Sequence, residues 1–424
     1  MKKVLLASAA LLALSTVAQA AEPVKLSIGG YAQEWAGVAS NQNGTVFSTS
    51  TGPAGTYGSG GTVSTAADRR TGFDVQDDVN INFVGSTKLD NGITVGVEVD
   101  TFGSQRADTR ANTTGNDNTK RSFVTLGSAF GTAIVGERED ALYIVHNSAP
   151  DVGLGLQDGA WFQWVGNPGQ HKLYTATNTS RYDDRTNKIS YVTPSWNGLA
   201  AAASYVPDIS RASGQGTTAM PGSSDVNGGI AVANGSVNGA NFGGGDLYGA
   251  GLAFANTFGD VSIKADAGVG QANIANLRVF QGGTQVSYAG FTLGGSILNR
   301  HVANDATLGD VNTNLPQGTN VNAFTKAAAF AGQSWDLGLA YATGPYSASI
   351  GYFHDTTKKY DTTTSLRGFG ADSTGVYMLS GKYVMGPGVA LQASVARVQY
   401  NSSESYTAEQ NKGWLGVTGV RVDF

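Results

Sequence analysis

Four carboxylates gather in one long stretch that neither a helical nor a strand period claims: Glu139, Asp140, Asp151 and Asp158, within residues 139–180. The flanking runs carry the bases Arg121, Arg138, Arg181, Arg185 and Lys188. Fixed charges of opposite sign across a narrow water-filled space set up a transverse field. Such a field orients dipolar solutes and disfavours apolar ones, which displace ordered water without gain. Each acid, read alone, is also an ordinary solvated loop carboxylate, and Arg121 and Arg185 are equally readable as rim residues. Asp151 and Asp158 are the stronger choices because they sit mid-stretch.

Catalytic chemistry finds little footing. The four histidines, His146, His171, His301 and His354, fall in expected loops or at strand ends, and none has the H-E-x-x-H spacing. No G-x-S-x-G elbow occurs. Cysteine is absent, which excludes disulfides, thiol catalysis and thiolate metal sites. Asp183-Asp184 is an acidic pair without an EF-hand pattern around it. Nothing implies a cofactor or a metal, and the expectation is that the chain is not an enzyme.

What must position these charges is a large β domain. Glycine accounts for 59 of 424 residues and charged residues for only 14%, which suits many short strands and turns. Alternating stretches of about 10 residues recur, joined alternately by tight turns and long polar loops, the pattern of a membrane barrel. In Ile93–Thr101, Ile93, Val95, Val97 and Val99 share one face. Thr94, Gly96, Glu98 and Asp100 share the other. That second face suits a wet lumen with the valines toward lipid, or a solvated sandwich face.

Further strands are expected at Lys25–Trp35, Val79–Lys88, Ser122–Gly127, Thr132–Arg138, Leu247–Phe258, Val261–Gly270, Val279–Ala289 and Phe291–Asn299. Ser334–Thr343, Tyr346–His354, Val376–Val384, Val389–Tyr400 and Gly413–Phe424 continue the series, and a hairpin turns at Trp196-Asn197-Gly198. The expectation is an all-β transmembrane antiparallel barrel of about 16 strands, an even number with both termini on the short-turn side. Tyr31, Tyr288, Tyr341, Tyr346, Tyr352, Tyr377 and Tyr383 are expected in its interfacial girdles.

The stretch 139–180 is roughly 40 residues, far above the usual limit of about 12–15 for a connection without structure. It carries Leu142, Tyr143, Ile144, Trp161, Phe162 and Trp164, so it has apolar groups to bury. It is expected to fold into the lumen and narrow it. Trp161, Phe162 and Trp164 are either an anchor against the wall or a stacking platform for sugar rings.

Residues 1–20 read as an export signal: Lys2 and Lys3, an apolar run, then Ala18-Gln19-Ala20. The expected domains are this signal at 1–20 and a barrel at 21–424. Without Lys2 and Lys3 the 27 basic residues become 25, against 32 acidic ones, a net charge of −7. That disfavours nucleic acid as a partner.

The export signal, the AEPVKLSIGGY start, the NKISYVTPSWNGLAAAASY hairpin after a long third loop, and the VRVDF terminus together resemble general diffusion porins of Gram-negative bacteria. The start is most similar to the alphaproteobacterial branch. The resemblance implies a homotrimer of 16-stranded barrels in outer-membrane lipid, each with a water-filled pore and a third loop folded inward. It implies that loop acids face a ladder of wall bases, with Arg121 and Arg185 matching the family's arginines. Asn80 and Asn82 stand where enteric relatives often carry a base. It also implies that the second loop, Gly103–Lys120, reaches a neighbouring subunit. Gly419, Val422 and Phe424 fit the terminal signal read by the barrel-assembly machinery, whereas Val417 stands where a polar residue is usual.

The function implied is passive diffusion of small hydrophilic solutes and ions. The loop acids Glu139, Asp140, Asp151 and Asp158 would meet a wall of Arg121, Arg138, Arg185, Lys188, Glu98, Asp100, Asn80 and Asn82. Loop acids outnumber loop bases, which gives a weak cation preference. The alternatives are a substrate-specific channel for a sugar or anion, and a secreted adhesin or β-sandwich array.

Overall fold

The computed structural model describes residues 24–41, 72–103, 119–157, 159–166, 171, 173–179, 187–207, 246–272, 277–301, 331–359, 370–403 and 410–424. Asp158, Lys172, Arg181, Asp183, Asp184 and Arg185 lie outside the described residues, as do the expected export signal and most of the second loop.

Strict alternation along the chain produces one closed antiparallel barrel, with neighbours paired in chain order and β1 paired to β16. The strands are β1 (Lys25–Asn41), β2 (Phe73–Lys88), β3 (Thr94–Phe102), β4 (Thr119–Ser128), β5 (Gly131–Glu137), β6 (Asn187–Val192), β7 (Leu199–Val206) and β8 (Leu247–Phe258). They continue as β9 (Val261–Ala272), β10 (Leu277–Tyr288), β11 (Phe291–His301), β12 (Gly332–Thr343), β13 (Tyr346–Lys359), β14 (Gly370–Gly386), β15 (Val389–Ser402) and β16 (Asn411–Asp423). The expected 16 strands are all present. Several run further toward the long-loop end than alternation alone suggested, β1, β2 and β14 most of all.

Closure satisfies the backbone at the seam. Gly30 N donates to Phe424 O at 2.9 Å, and Phe424 N donates to Gly30 O at 3.1 Å. An open seam would leave such groups facing lipid at several kcal/mol each. The short turns are tight. Asn197 and Gly198 both have positive φ, as do Ala289 and Gly290. Two-residue hairpins need that conformation to match strand twist.

The outward face is apolar: Leu337, Ile350, Leu379 and Val395 are each more than half exposed. Beside the short turns it becomes aromatic, with Phe258, Tyr288, Phe291, Tyr341, Tyr346 and Tyr383. Tyr31 corrects the girdle expectation. Its hydroxyl donates to Asp78 at 3.2 Å and its ring lies 3.9 Å from the Arg421 guanidinium. It therefore shares the lumen side with its register partner Asn80, which is buried. His354 corrects another: it sits within β13, not at a strand end, between Tyr352 and Thr356 hydroxyls at 3.2 Å each.

The buried apolar core lies inside the barrel. Trp161, Phe162, Trp164, Val165 and Leu173 of the inward loop pack on Phe353, Val376, Met378, Val398, Tyr400, Leu415 and Val417 of the wall. Val417 is apolar for this reason: it faces the lumen beneath the loop. A second cluster joins Leu142 and Tyr174 to Val206, Leu247, Leu277, Val279 and Leu298.

Candidate functional site

The third loop starts at an ion-pair cluster. Arg121 on β4 gives its Nε to both Glu139 oxygens at 2.9 and 2.8 Å, and its terminal nitrogen NH2 also pairs with Glu139. Its NH1 donates to Asp100 on β3 at 3.2 Å, across a register that sets the two residues opposite each other. Asp100 and Glu139 are buried. Arg138 lies 4.9 Å over the Phe123 ring, and Lys188 on β6 donates to the Arg138 carbonyl. Glu98 projects from the same face of β3, and Asn82 pairs in register with Asp100.

Asp140 then caps the helix α1 (Ala141–Val145) by accepting from Tyr143 N at 2.9 Å. It also accepts from Thr179 Oγ1 at 2.6 Å, tying the loop's two ends together. Burial pushes its carboxyl pKa up. Asp151 spends its oxygens on Gly153, Gly155 and Leu156 amides at 2.9–3.2 Å and on the Ser349 hydroxyl at 3.0 Å. The described loop acids thus cap and pin the loop.

The wall under the loop reverses the expected polarity. Asp266 on β9 accepts from Asn147 N at 2.7 Å and meets His146 Nδ1 at 3.1 Å. Asp336 on β12 accepts from Ala149 N at 2.9 Å, Ser296 Oγ at 2.9 Å and Thr177 Oγ1 at 3.0 Å, so it binds both arms of the loop. Asp355 on β13 accepts from Tyr174 N at 3.0 Å and from Arg300 at 2.6 Å. Ser349, Ser394 and Gln392 hold the Val152–Leu154 segment. Sequence reasoning missed these acids. Their signal is a carboxylate at a lumen position in β9, β12 and β13.

Asp336 gives a graded test. Asp336→Ala leaves the buried Ala149 amide without an acceptor, a loss of about 1–3 kcal/mol. Asp336→Asn keeps an oxygen for that amide, and the Thr177 and Ser296 hydroxyls accept as readily as they donate. Current noise in single-channel records should rise clearly for the alanine variant and little for the asparagine variant.

The loop lies along β7–β16, and its other side keeps Tyr143, Ile144, Ser148, Val152, Gln157 and Gln163 partly exposed. The wall opposite carries Tyr31, Asp78, Asn80, Asn82 and Glu98 on lumen-facing positions of β1–β3. Both sets of side chains line the lumen and are mostly polar. Among the described residues no group of three or more potential metal ligands comes together.

The chain matches the Gram-negative porin family over residues 7–403. The chain belongs to that family. This porin is accordingly a diffusion channel of the outer membrane, crossing it many times as a barrel. No curated protein sequence matches it. Among solved structures the porin resembles a loop L8 deletion mutant of OmpT, an outer membrane protein of Vibrio cholerae. That match has 9% identity and a TM-score of 0.52, covering 95% of this chain and 100% of the other. It also resembles an anion-selective porin from Comamonas acidovorans, at 14% identity and a TM-score of 0.50, with 95% and 100% covered. At these identities the likeness is one of fold.

Proposed function

We propose that the porin passes small hydrophilic solutes and ions with a weak preference for cations. Its constriction lies between the third loop, residues 139–180, and the wall of β1–β4. The observation that carries this is the charge at the loop's root: Glu98, Asp100, Glu139 and Asp140 stand there against Arg121, Arg138 and Lys188. Lys264, Lys382 and Arg421 face the lumen nearer the short turns and moderate the preference. Asn80 and Asn82 put uncharged amides on the opposite wall where the family resemblance suggests a base. Trp161 and Trp164 are buried in the loop's anchor, which favours the general channel over a sugar-specific one.

The same reading takes residues 1–20 as an export signal, 21–424 as the barrel domain and the assembled channel as a homotrimer. Gly419, Val422 and Phe424 are the terminal signal for the barrel-assembly machinery. A salt gradient across a planar bilayer tests the selectivity. Reversal toward the cation potential is expected. Reversal toward the anion potential would overturn it.

A further inference from the structure

The wall beneath the third loop carries two ammonium groups that the loop does not use. Lys264 shares the lumen face of β9 with buried Asp266, and Lys382 shares the lumen face of β14 with buried Ser380. Each lies four residues from a short turn, counted from Asp260 to Lys264 and from Lys382 to Gly386. Tilted strands rise slowly, so both stand about 10 Å inside the same mouth of the barrel. Among the described residues neither pairs with a carboxylate. Asp266, two residues from Lys264, is spent on Asn147 and His146.

The two lysines bracket one short piece of the loop. Lys264 is the register partner of Gln285, whose Nε2 donates to Ser148 O at 2.7 Å. Lys382 is the register partner of Gln392, whose Nε2 donates to Val152 O at 2.7 Å. From Ser148 to Val152 the chain spans at most about 14 Å. Gln285 on β10 and Gln392 on β15 are five strands apart, as are Lys264 on β9 and Lys382 on β14. The glutamines already meet a common segment of that length. The longer lysine side chains therefore reach a common guest of similar length below it. The wall between them is small and hydroxylated at its lumen positions: Ser287 on β10, Thr292 on β11, Ala340 on β12 and Ser347 on β13. Ser347 stands opposite Lys382 in register, and the Ser287 and Thr292 hydroxyls lie 2.8 Å apart.

We propose that this stretch of wall, roofed by Ser148–Val152, binds an elongated multivalent anion of the polyphosphate class that enters from the short-turn mouth. Lys264 and Lys382 hold its two ends, and the Ser287, Thr292 and Ser347 hydroxyls donate between them. Lysine suits phosphate as a compact point charge, and two lysines set far apart select an anion with charge at both ends. A single small phosphate satisfies one lysine at a time and gains little. The side of entry follows from the roof. From the short turns the wall is reached directly, whereas from the long loops an anion first passes Glu98, Asp100 and Glu139 at the root of the loop.

The test uses the full barrel in a planar bilayer, with inorganic tripolyphosphate added to one compartment at a time and orthophosphate as the comparison. Ala342→Cys, at a lumen position beside a short turn in a chain without cysteine, fixes the orientation. A polymer maleimide too large for the pore, added after the block is read, lowers the current only from the short-turn side. Tripolyphosphate should block the current from that side at concentrations where orthophosphate does not. Lys264→Gln or Lys382→Gln should each raise the half-blocking concentration roughly fivefold, and the two together about 25-fold. Raising the salt from about 0.1 M to 1 M shortens the screening length from about 10 Å to 3 Å and should remove the block. Single-channel openings report that each variant has folded. Equal block from both compartments, equal block by orthophosphate, or wild-type block in the double variant would overturn the proposal.

Discussion

Trp161→Ala should give a channel with larger and noisier single-channel conductance, in a barrel that still closes. Trp161 is completely buried. Its ring centre lies 6.1 Å from Phe353 and 6.2 Å from Tyr400 on the wall, and its Nε1 donates to Leu156 O at 3.0 Å. Truncating a buried tryptophan costs about 3–5 kcal/mol. That loss falls on the docking of the loop, because the strand ladder from β1 to β16 does not pass through Trp161. At about 1.4 kcal/mol per decade, the undocked population rises by roughly two to three and a half decades. Trp196→Ala is the control: Trp196 is 75% exposed beside a short turn, away from the loop. Equal conductance and noise in Trp161→Ala and wild type would mean that the aromatic cluster does not hold the loop.

The barrel was legible in the sequence because period-2 alternation and two-residue turns are local signals. β8 begins and ends where its alternation does, at Leu247 and Phe258. The loop's burial was legible from its tryptophans. Its polar partners were not, because they depend on where the loop lies on the wall. Asp266, Asp336 and Asp355 look like any lumen acid in an alternating strand. Only the docked loop shows that they accept backbone amides at Asn147, Ala149 and Tyr174. Glycine content was read as turn and strand composition, yet some lumen glycines are seats for the loop. A β-carbon at Gly283 would overlap the Asn147 carbonyl, and one at Gly268 would overlap Leu142. Tyr31 misled because an aromatic near a strand end suits a girdle or a lumen alike, and only register decides. Loop acids misled because counting charges says nothing about which are already spent, as Asp151 is on three amides.

Arg121→Ala should invert the acid response of the loop's root and deepen the cation preference. In wild type, burial pushes the Glu139 carboxyl pKa up, but the Arg121 charge and hydrogen bonds outweigh it and hold the value below the ordinary glutamate range. A depressed carboxylate contributes stability that is full above the ordinary value and is lost as pH falls through the depressed one. Wild-type loop docking should therefore weaken only in strong acid. Without the guanidinium, Glu139 and Asp100 remain buried and unpaired. Breaking such a pair costs about 3–5 kcal/mol. The lower end applies, because a quarter of the Arg121 side chain faces water. Burial, opposed only in part by a backbone hydrogen bond and the Arg138 charge, then raises the Glu139 value, so the variant should gain stability as pH falls from neutrality. Arg121→Lys should rescue little, since a single ammonium cannot reproduce a fork shared between Glu139 and Asp100. Adding Glu139→Gln to Arg121→Ala should recover part of the loss by removing one unpaired charge. Reversal potentials and conductance noise across a pH series measure both effects. If Arg121→Ala weakened on acidification as wild type does, the pair would not be what holds the root of the loop.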